Sequence, residues 1–512
     1  MSKPNFVLIM TDTQGANVIG AYGHPEMDTP NIDNLARTGT QFTRAYTTCP
    51  LCTPARAAIF TGMYSNMAGA WANNMPLGEN VRTMGRRFRD RGYRAVYTGK
   101  WHLDGHDYFG TGICPDGWED EYWYDARRHL GELSDEEKLL WRGGLLSVND
   151  LRDHDIRPEF TMAHRVSNRA IDFLEKQTGE PFLLVVSYDE PHGPFTCPPE
   201  YAERFEDYVY PIGPAASDTL ENKPAHHSEW ARAHRGELAE LLDGDGGIRY
   251  PMYFGCNSFV DREIGRVIDA VHALVPDNTT IIFTSDHGGM LGAHQLKDKG
   301  PAMYEEITHI PLIIEQPAGT SAEGANPTPV SHVDLLPTML DLAGFEVSPI
   351  MAGQSLVPLL DGEEDAGRSA VIEFNRFGVG HGYMGGLQPI RCIVRDHYKL
   401  VVNLLYTDEL YDLKEDPAEV HNLIQDPDYA DIRDALHDGL LDRMHENLDT
   451  FRGPFWEQRP WRDSNRFPWA GSTRPRPADG YAPEMRVYQT GLPVGDGRSR
   501  KGGQGSETVQ EQ

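Results

Sequence analysis

Phe6-Val7-Leu8-Ile9-Met10, followed by Thr11 and Asp12, is the stretch of this 512-residue chain that decides its fold. An apolar run without polar alternation is typical of a parallel strand that is covered on both faces. Such a strand carries the next polar residue to the carboxyl edge of the sheet, where open α/β sheets bind their ligands. The stretch therefore predicts a buried strand with Asp12 at the binding edge, in position to hold a metal ion.

Similar apolar runs recur along the chain and are separated by helical patterns. They lie at residues 95–98, 182–187, 280–284 and 312–315. Between residues 252 and 274, apolar side chains recur at helical spacing and predict a helix. This alternation of strands and helices predicts a doubly wound α/β fold.

Polar residues of catalytic types follow several of these runs. Lys100 and His102 follow the second run, Asp189 and His192 follow the third, and Asp286 and His287 follow the fourth, with Lys299 further on. A single histidine at a strand end is usually a capping or surface residue. Because the carboxyl ends of parallel strands meet at one edge, we expect these residues to converge on Asp12 and form a site.

Residues 54–62 predict a short helix that begins just after Cys52. Pro54 suits the first turn and Gly62 suits the position just past the end. Residue 52 then lies at a helix N-terminus, where unpaired backbone N–H groups and the helix dipole attract anions. Arg56 lies one turn on and adds a planar cation, so the segment predicts a binding site for a tetrahedral oxyanion.

Two other readings of Cys52 remain open at this point. With Cys49 it forms a Cys-x-x-Cys pair that could bind zinc or cycle as a dithiol, but no second cysteine pair completes a zinc site. It could also be an inert buried thiol in a non-catalytic protein. Either reading leaves Lys100, His192 and Asp286 without a role.

The pattern Cys52-x-Pro54-x-Arg56, with Thr61-Gly62 at the end of the helix, resembles the signature of the type I sulfatases. In that family the cysteine is oxidised after translation to formylglycine, whose hydrated aldehyde is the nucleophile. The resemblance implies the same modification of Cys52 by a formylglycine-generating enzyme. The implied reaction is hydrolysis of a sulfate monoester to an alcohol and inorganic sulfate.

Further segments are similar to other motifs of this family. Residues 92–102 resemble its second signature, although Ala95 stands where a hydroxyl residue is usual. Residues 286–294, with Lys299, are similar to its second metal segment. Residues 333–338 and 409–423 are similar to its helix and C-terminal strand motifs. The resemblance covers about residues 4–425.

The fold that this resemblance implies is alkaline-phosphatase-like. It comprises a large, mostly parallel sheet flanked by helices and a smaller C-terminal subdomain with a short antiparallel sheet. We assign the catalytic α/β domain to residues 1–375 and the subdomain to residues 376–450. Residues 451–512 then form a terminal arm.

The resemblance also implies a role for each site residue. One divalent metal ion is bound by Asp12, residue 52, Asp286 and His287; Ca²⁺ is favoured, with Mn²⁺ and Mg²⁺ open. The catalytic groups implied are Cys52, Arg56, Lys100, His102, His192 and Lys299. Arg56 holds the formylglycine, Lys100 binds the sulfate and the hydrate, and His102 helps the hydrate collapse. Lys299 and His192 face the leaving group, with His192 as the general acid.

The first metal segment departs from the usual sulfatase pattern. Many sulfatases have two adjacent acidic residues there, whereas this chain has Asp12-Thr13-Gln14. The phosphonate monoester hydrolases, which use the same nucleophile, have Asp-Gln at this point. Because a tetrahedral phosphorus anion fits the same cradle, hydrolysis of a phosphonate monoester or a phosphodiester is the alternative function.

Composition excludes several kinds of partner. The formal net charge of −30 disfavours nucleic acids and anionic membranes, because both bind basic surfaces. The six cysteines have no paired spacing, and no apolar stretch is long enough for a signal peptide or a membrane span. We therefore expect a cytoplasmic protein whose substrate is an anionic sulfate ester, either a small molecule or a saccharide.

The composition changes near the end of the chain, from residue 452 onward. Trp456, Trp461 and Trp469 stand among closely spaced prolines, which remove too many backbone donors for a regular helix or a central strand. We expect an extended arm that packs on its own core or on a neighbouring subunit, and hence a homo-oligomer.

Overall fold

The computed structural model of the protein describes residues 3–244, 246–317, 320, 322–378, 386–462, 486 and 489–493. The strands within these residues are β1 (Asn5–Thr11), β2 (Thr40–Phe42), β3 (Ala45–Tyr46), β4 (Arg94–Gly99), β5 (Phe182–Ser187), β6 (Tyr210–Pro211), β7 (Leu242–Asp243), β8 (Gly247–Ile248), β9 (Thr279–Ser285), β10 (His309–Ile310), β11 (Leu312–Glu315), β12 (Gly324–Asn326), β13 (Val330–Ser331), β14 (Ser369–Phe374), β15 (Ile390–Arg395), β16 (Tyr398–Asn403) and β17 (Glu409–Asp412).

The α-helices in the same part of the chain are α1 (Pro30–Thr38), α2 (Cys52–Thr61), α3 (Ser65–Ala68), α4 (Met84–Arg89), α5 (Ala126–Glu132), α6 (Asp135–Leu139), α7 (Val148–Asp153), α8 (Met162–Glu175), α9 (Pro199–Glu203), α10 (Ala225–Ala239), α11 (Pro251–Leu274), α12 (Glu305–Thr308), α13 (Leu335–Leu342), α14 (Val357–Leu360), α15 (Ala430–Glu446) and α16 (Pro454–Glu457). The predicted strands and the predicted long helix are all among these elements.

A seven-stranded sheet with the order β12-β2-β11-β9-β1-β5-β4 forms the centre of the fold. Strand β1 lies between β9 and β5 and is parallel to both, and β4 continues the parallel set beyond β5. The carboxyl ends of these strands therefore meet at one edge, as the sequence predicted.

The side chains of β1 alternate between two helical layers. Val7 and Ile9 belong to the apolar cluster formed with α8 and α11, whereas Phe6, Leu8 and Met10 belong to the cluster formed with α2 and α13. All of these side chains are fully buried. Coverage on both faces explains the unbroken apolar run in the sequence.

Strand β11 differs from the parallel strand that we expected at Leu312–Glu315. It runs antiparallel to β9, with Ile313 opposite Phe283, and β2 is in turn antiparallel to β11. An apolar run shows that a strand is buried on both faces but does not show its direction, which is why the sequence misled here. The sheet as a whole is mostly parallel.

Gly99 allows β4 and β5 to lie close together at the binding edge. Its backbone has φ +112°, and a Cβ atom there would lie 1.8 Å from the carbonyl oxygen of Ser187. The backbone N–H of Lys100 donates to the same oxygen at 2.8 Å. A glycine is therefore needed for the chain to leave β4 with Lys100 directed over the edge.

A four-stranded antiparallel sheet of order β14-β15-β16-β17 follows in the chain, and α15 packs against it. This confirms the predicted short C-terminal sheet. Its first strand begins at Ser369, before residue 376, where the subdomain boundary was placed, and that boundary stays a prediction. Two small sheets, β10-β3-β13 and β6-β8-β7, complete the strands of the described residues.

The chain forms two compact units, Met1–Thr450 and Phe451–Gln512. The second contains one turn of helix, α16, that starts with Pro454 at its first turn, a position that proline favours. The expectation of no regular helix in this arm is therefore wrong at that point. Trp469 lies outside the described residues. No helix in the described part of the chain is long and apolar enough to cross a membrane.

Candidate active site

Helix α2 carries two of the site residues and is buried along its whole length. It begins at Cys52, and Gly62 ends it with φ +68°. The sequence predicted the glycine stop correctly but placed the start at Pro54. Cys52 is therefore the first residue of the helix itself, and Thr53 is already capped by Asn73, whose side-chain oxygen accepts from the Thr53 N–H at 3.1 Å.

Four side chains gather at the carboxyl edge beside this helix end: Asp12, Cys52, Asp286 and His287. Each offers one ligand atom, these atoms all lie within 4.8 Å of one another, and all four residues are buried. The Nδ1 of His287 lies 2.8 Å from the carbonyl oxygen of Gly288, so Nδ1 carries the proton. This leaves the Nε2 lone pair directed at the cluster, 3.3 Å from the Cys52 sulfur.

The chemistry of these donors fits a divalent metal ion. Two carboxylates and one imidazole suit a hard or borderline cation, and oxidation of Cys52 would replace its sulfur by oxygen. Gln14 takes no part, because its amide group bonds to Thr11 at 2.7 Å and to Asn257 at 2.6 Å. Thr13 lies closer, and its hydroxyl donates to Asp12 at 2.8 Å.

Arg56 connects the two carboxylates of the cluster. Its Nε donates to Asp286 at 2.9 Å and its Nη2 to Asp12 at 3.1 Å. Its Nη1 donates to the carbonyl oxygen of Lys100 at 2.7 Å and to the hydroxyl of Ser187 at 2.9 Å. The guanidinium is therefore fully used in holding the protein side of the site.

Two lysines lie on either side of residue 52. The ammonium of Lys299 is 3.0 Å from the Cys52 sulfur, and that of Lys100 is 2.8 Å from Asp12. Burial and the Asp12 carboxylate each raise the pKa of the Cys52 thiol. The positive charges of Lys299, Lys100 and His287 lower it, and the net result is a pKa well below the usual range of a thiol. The site is therefore suited to stabilise negative charge at residue 52.

His102 faces the same site from the loop after β4. Its Nε2 lies 2.7 Å from the side-chain oxygen of Asn74, which fixes a proton on Nε2. Its Nδ1 is buried and has no hydrogen-bond partner within the described residues. Burial lowers the pKa of His102, so the ring is neutral and Nδ1 is available to accept a proton.

His192 lies beside a tyrosine that the sequence did not single out. The hydroxyl of Tyr108 accepts from Lys100 at 2.9 Å, donates to Asp189 and lies 3.1 Å from Nδ1 of His192. Burial, Lys100 and Lys299 lower the pKa of His192 to about 4. Tyr108 follows no apolar run and belongs to no motif, so only the folded loop reveals it.

Helix α10 supports the loop that carries Lys299. His226 and His227 both contact the carbonyl oxygen of Pro301, with their Nε2 atoms at 2.7 Å and 3.2 Å. The ring of Trp230 covers Gly300, where a Cβ atom would meet it at 3.1 Å. Both histidines are buried and support this loop.

The structure thus brings together all the residues that the sequence singled out for the site.

Comparison with known proteins identifies the family of this chain. A model of the sulfatase family matches residues 4–345. The chain belongs to the sulfatase family. It is accordingly a sulfuric ester hydrolase of the alkaline phosphatase superfamily. A second family model, of the N-sulphoglucosamine sulphohydrolase C-terminal region, matches residues 292–446.

Individual sulfatase relatives and solved structures agree with this assignment. An uncharacterized sulfatase, YidJ, of Escherichia coli is 51% identical over 496 residues, which is 96% of this chain and 98% of that protein. A solved structure in complex with its substrate D-glucosamine-2-N,6-O-disulfate has a TM-score of 0.71 at 23% identity, covering 88% of this chain and 99% of its own. The phosphonate monoester hydrolase of Agrobacterium radiobacter has a TM-score of 0.69 at 26% identity, and the match covers 87% of this chain and 96% of that one.

The buried pair His226 and His227 should make stability depend on pH. Burial lowers the pKa of both rings from 6.5 to about 3. Between these values the unfolded chain binds protons that the folded chain does not, so stability is full above pH 6.5 and falls as the pH decreases. The expected loss is roughly 1.4 kcal/mol per histidine per pH unit.

Urea unfolding of the wild type and of His227→Gln at pH 7 and pH 5 measures this effect. Glutamine keeps an amide donor for Pro301 but does not titrate. We expect the loss of stability between the two pH values to be smaller in His227→Gln by about 2 kcal/mol. The exposed His106→Gln serves as control and should behave as the wild type does. An equal loss in His227→Gln and the wild type would contradict the assignment.

Proposed function

We propose that this sulfatase cleaves sulfate monoesters with a formylglycine hydrate at position 52 as the nucleophile. The observation that carries this proposal is the position of Cys52, the first residue of α2, between two buried carboxylates, an imidazole and two ammonium groups. Packing alone does not call for so many buried charges around one thiol, because burying charged groups is costly. A nucleophile that must approach an anionic sulfur needs these cations.

Asp12, Asp286, His287 and an oxygen of residue 52 would hold one divalent metal ion. Ca²⁺ is the ion that we favour, with Mn²⁺ and Mg²⁺ as alternatives because His287 offers nitrogen. When bound, the metal supplies Lewis acidity at the oxygen of residue 52 and at the sulfate. Arg56 donates to both carboxylates and would hold them in place as ligands of the metal.

The remaining residues act on the ester itself. Lys100 and Lys299 bind the sulfate oxygens. One hydroxyl of the hydrate loses its proton to solvent, and the resulting oxyanion attacks sulfur while the S–O bond to the alcohol breaks. The alcohol oxygen leaves with a proton from His192. His102 then accepts the proton of the second hydroxyl at Nδ1, the aldehyde forms again, and the C–O bond to sulfate breaks. Water adds to the aldehyde and restores the hydrate.

Substrate binding itself would prepare His192 for its role as acid. Burial lowers the pKa of His192, and the positive charges of Lys100 and Lys299 lower it further. A sulfate anion held between these lysines offsets their charge and raises that pKa again. His192 would therefore take up its proton when an ester is bound, and Asp189, through Tyr108, would stabilise the imidazolium.

The alternative is hydrolysis of a phosphonate monoester or a phosphodiester at the same site. It is favoured by the similarity to the phosphonate monoester hydrolase structure and by the absence of a second acidic residue beside Asp12. Rates on an aryl sulfate and on the matching aryl phosphonate would separate the two. A higher kcat/KM on the phosphonate would favour the alternative.

Several wider features belong to the same proposal. The substrate is an anionic sulfate ester, small or saccharide, because three cations line a site in a chain whose net charge is −30. A formylglycine-generating enzyme converts Cys52. A cytoplasmic location and a homo-oligomer formed through residues 451–512 also stay predictions.

The first prediction of the proposed function concerns the nucleophile at position 52. Mass spectrometry of the peptide that contains residue 52 should show formylglycine in active protein, and an intact thiol there would contradict the mechanism. Cys52→Ser should release at most one alcohol per subunit and keep the sulfate, because serine lacks the second hydroxyl that expels it. Cys49→Ser, which changes the other cysteine of the pair, should turn over normally. Sustained turnover by Cys52→Ser would refute the need for an aldehyde.

The second prediction concerns the acid. His192→Ala should lose about 10²- to 10⁴-fold in rate on alkyl sulfates, the usual contribution of a general acid. Aryl sulfates with acidic phenols should lose much less, since their leaving groups depart without a proton. The measurement is kcat across a series of leaving-group pKa values. A uniform loss would show that His192 has another role.

The third prediction concerns the metal. Asp286→Asn should weaken metal binding at least about 10-fold, because it removes an anionic ligand. The readout is metal content after dialysis, measured by elemental analysis, and it does not depend on activity. Asp261→Asn, which changes a buried carboxylate of α11 that accepts from the backbone N–H of Ile32 in α1, is the control and should retain its metal. Equal metal content in the two variants would exclude Asp286 as a ligand.

A further inference from the structure

Arg142 lies in an unusual environment on the leaving-group side of the site. It belongs to a π-helical turn, Leu140–Gly144, a type of turn that is often found at functional sites. Its guanidinium carbon lies 5.1 Å from the ring centroid of Tyr108, 5.3 Å from Phe109 and 5.0 Å from Trp141. Three aromatic rings therefore surround one cation.

Arg142 has no ion pair with a carboxylate in the described part of the chain, although its charge contributes to lowering the pKa of Asp189. The Nη1 atom of Arg142 is buried without a hydrogen bond, and no carboxylate within the described residues forms an ion pair with it. Neighbouring arginines are different: Arg127 pairs with Asp107 at 2.6 Å and Arg128 with Asp120 at 2.5 Å. The Arg142 side chain as a whole is only partly buried, and contact with aromatic rings replaces only part of the interaction that a carboxylate would supply.

Tyr108 links Arg142 to the reacting groups. Its ring contacts the guanidinium, and its hydroxyl contacts Lys100 at 2.9 Å and lies 3.1 Å from His192. The proposed function places Lys100 at the sulfate and His192 at the leaving oxygen. Arg142 therefore lies one aromatic ring away from the groups that are proposed to hold the sulfate and the leaving oxygen.

We propose that Arg142 binds a second oxyanion, a carboxylate or a second sulfate, on the alcohol part of the substrate. This inference rests on the proposed function and narrows it to doubly anionic sulfate esters. A planar guanidinium matches the paired oxygens of either group, and the aromatic rings hold it in place with little loss of side-chain entropy on binding. The residue is thus a specificity determinant, and it takes no part in cleavage.

A pair of matched esters tests this inference. The substrates are 3-(carboxymethyl)phenyl sulfate and its carboxamide, which have similar shape and differ in one negative charge. We expect wild-type kcat/KM to favour the carboxylate by about 10- to 100-fold, the usual effect of a charged hydrogen bond. Arg142→Gln should abolish this preference and change the rate on the carboxamide by less than about threefold, while Arg142→Lys should keep part of it.

The control variant and the contrary outcomes are well defined. Arg127→Gln removes a nearby cation that already has Asp107 as partner, so it should preserve the preference. A wild-type ratio near one, or equal losses on both esters in Arg142→Gln, would overturn the inference and leave the proposed function intact. Failure of the wild type to release sulfate from either ester would instead overturn the proposed function and this inference with it.

Binding of the product provides a second measurement that does not need turnover. Calorimetric titration of wild-type protein with 3-hydroxyphenylacetate and with its amide compares the same two groups. Tighter binding of the acid, weakened in Arg142→Lys and lost in Arg142→Gln, supports the inference even if one variant is poorly stable. Equal binding of acid and amide by the wild type would contradict it.

Discussion

The ion pairs between Arg56, Asp12 and Asp286 are the interaction on which the rest of the site depends. The guanidinium is withdrawn from water and contacts the two carboxylates at 3.1 Å and 2.9 Å. Two carboxylates at such close range repel each other, and leaving a buried charge unpaired costs about 3–5 kcal/mol. Arg56 therefore offsets part of the repulsion between the two carboxylates, although burial and the Asp12 charge still raise the pKa of Asp286 to about 7. It also ties α2, which carries Cys52, to the edge of the sheet.

The sheet determines where these charges meet. Strands β9, β1, β5 and β4 are parallel neighbours, and each ends just before a polar residue of the site. Their backbone hydrogen bonds fix the heights of Asp12, Lys100 and Asp286 relative to one another. Groups attached to paired strands are held more rigidly than groups on free loops. The core and the site are thus two results of the same pairing.

A second layer of loops orients the side chains that the strands deliver. Tyr108 holds Lys100 and His192, Asn74 fixes the tautomer of His102, and His227 supports the loop of Lys299. The positive groups are concentrated here although the chain has a net charge of −30. Because the walls of the site exclude water, these few cations dominate the local potential. An anionic substrate can therefore bind a strongly acidic protein.

The sequence by itself determined the parts that depend on local pattern. The apolar run of β1 and the motif around Cys52 predicted the sheet, the helix and the members of the site, since burial, period and turn chemistry are visible in the order of residues. The tertiary structure alone decided the direction of β11, the exclusion of Gln14 from the cluster, and the partnership of Tyr108 with His192. Each of these depends on contacts between residues far apart in the chain, and such contacts leave no local periodicity to read. The aromatic surroundings of Arg142 likewise could be found only in the tertiary structure, because Tyr108 and Phe109 lie far from it in the sequence.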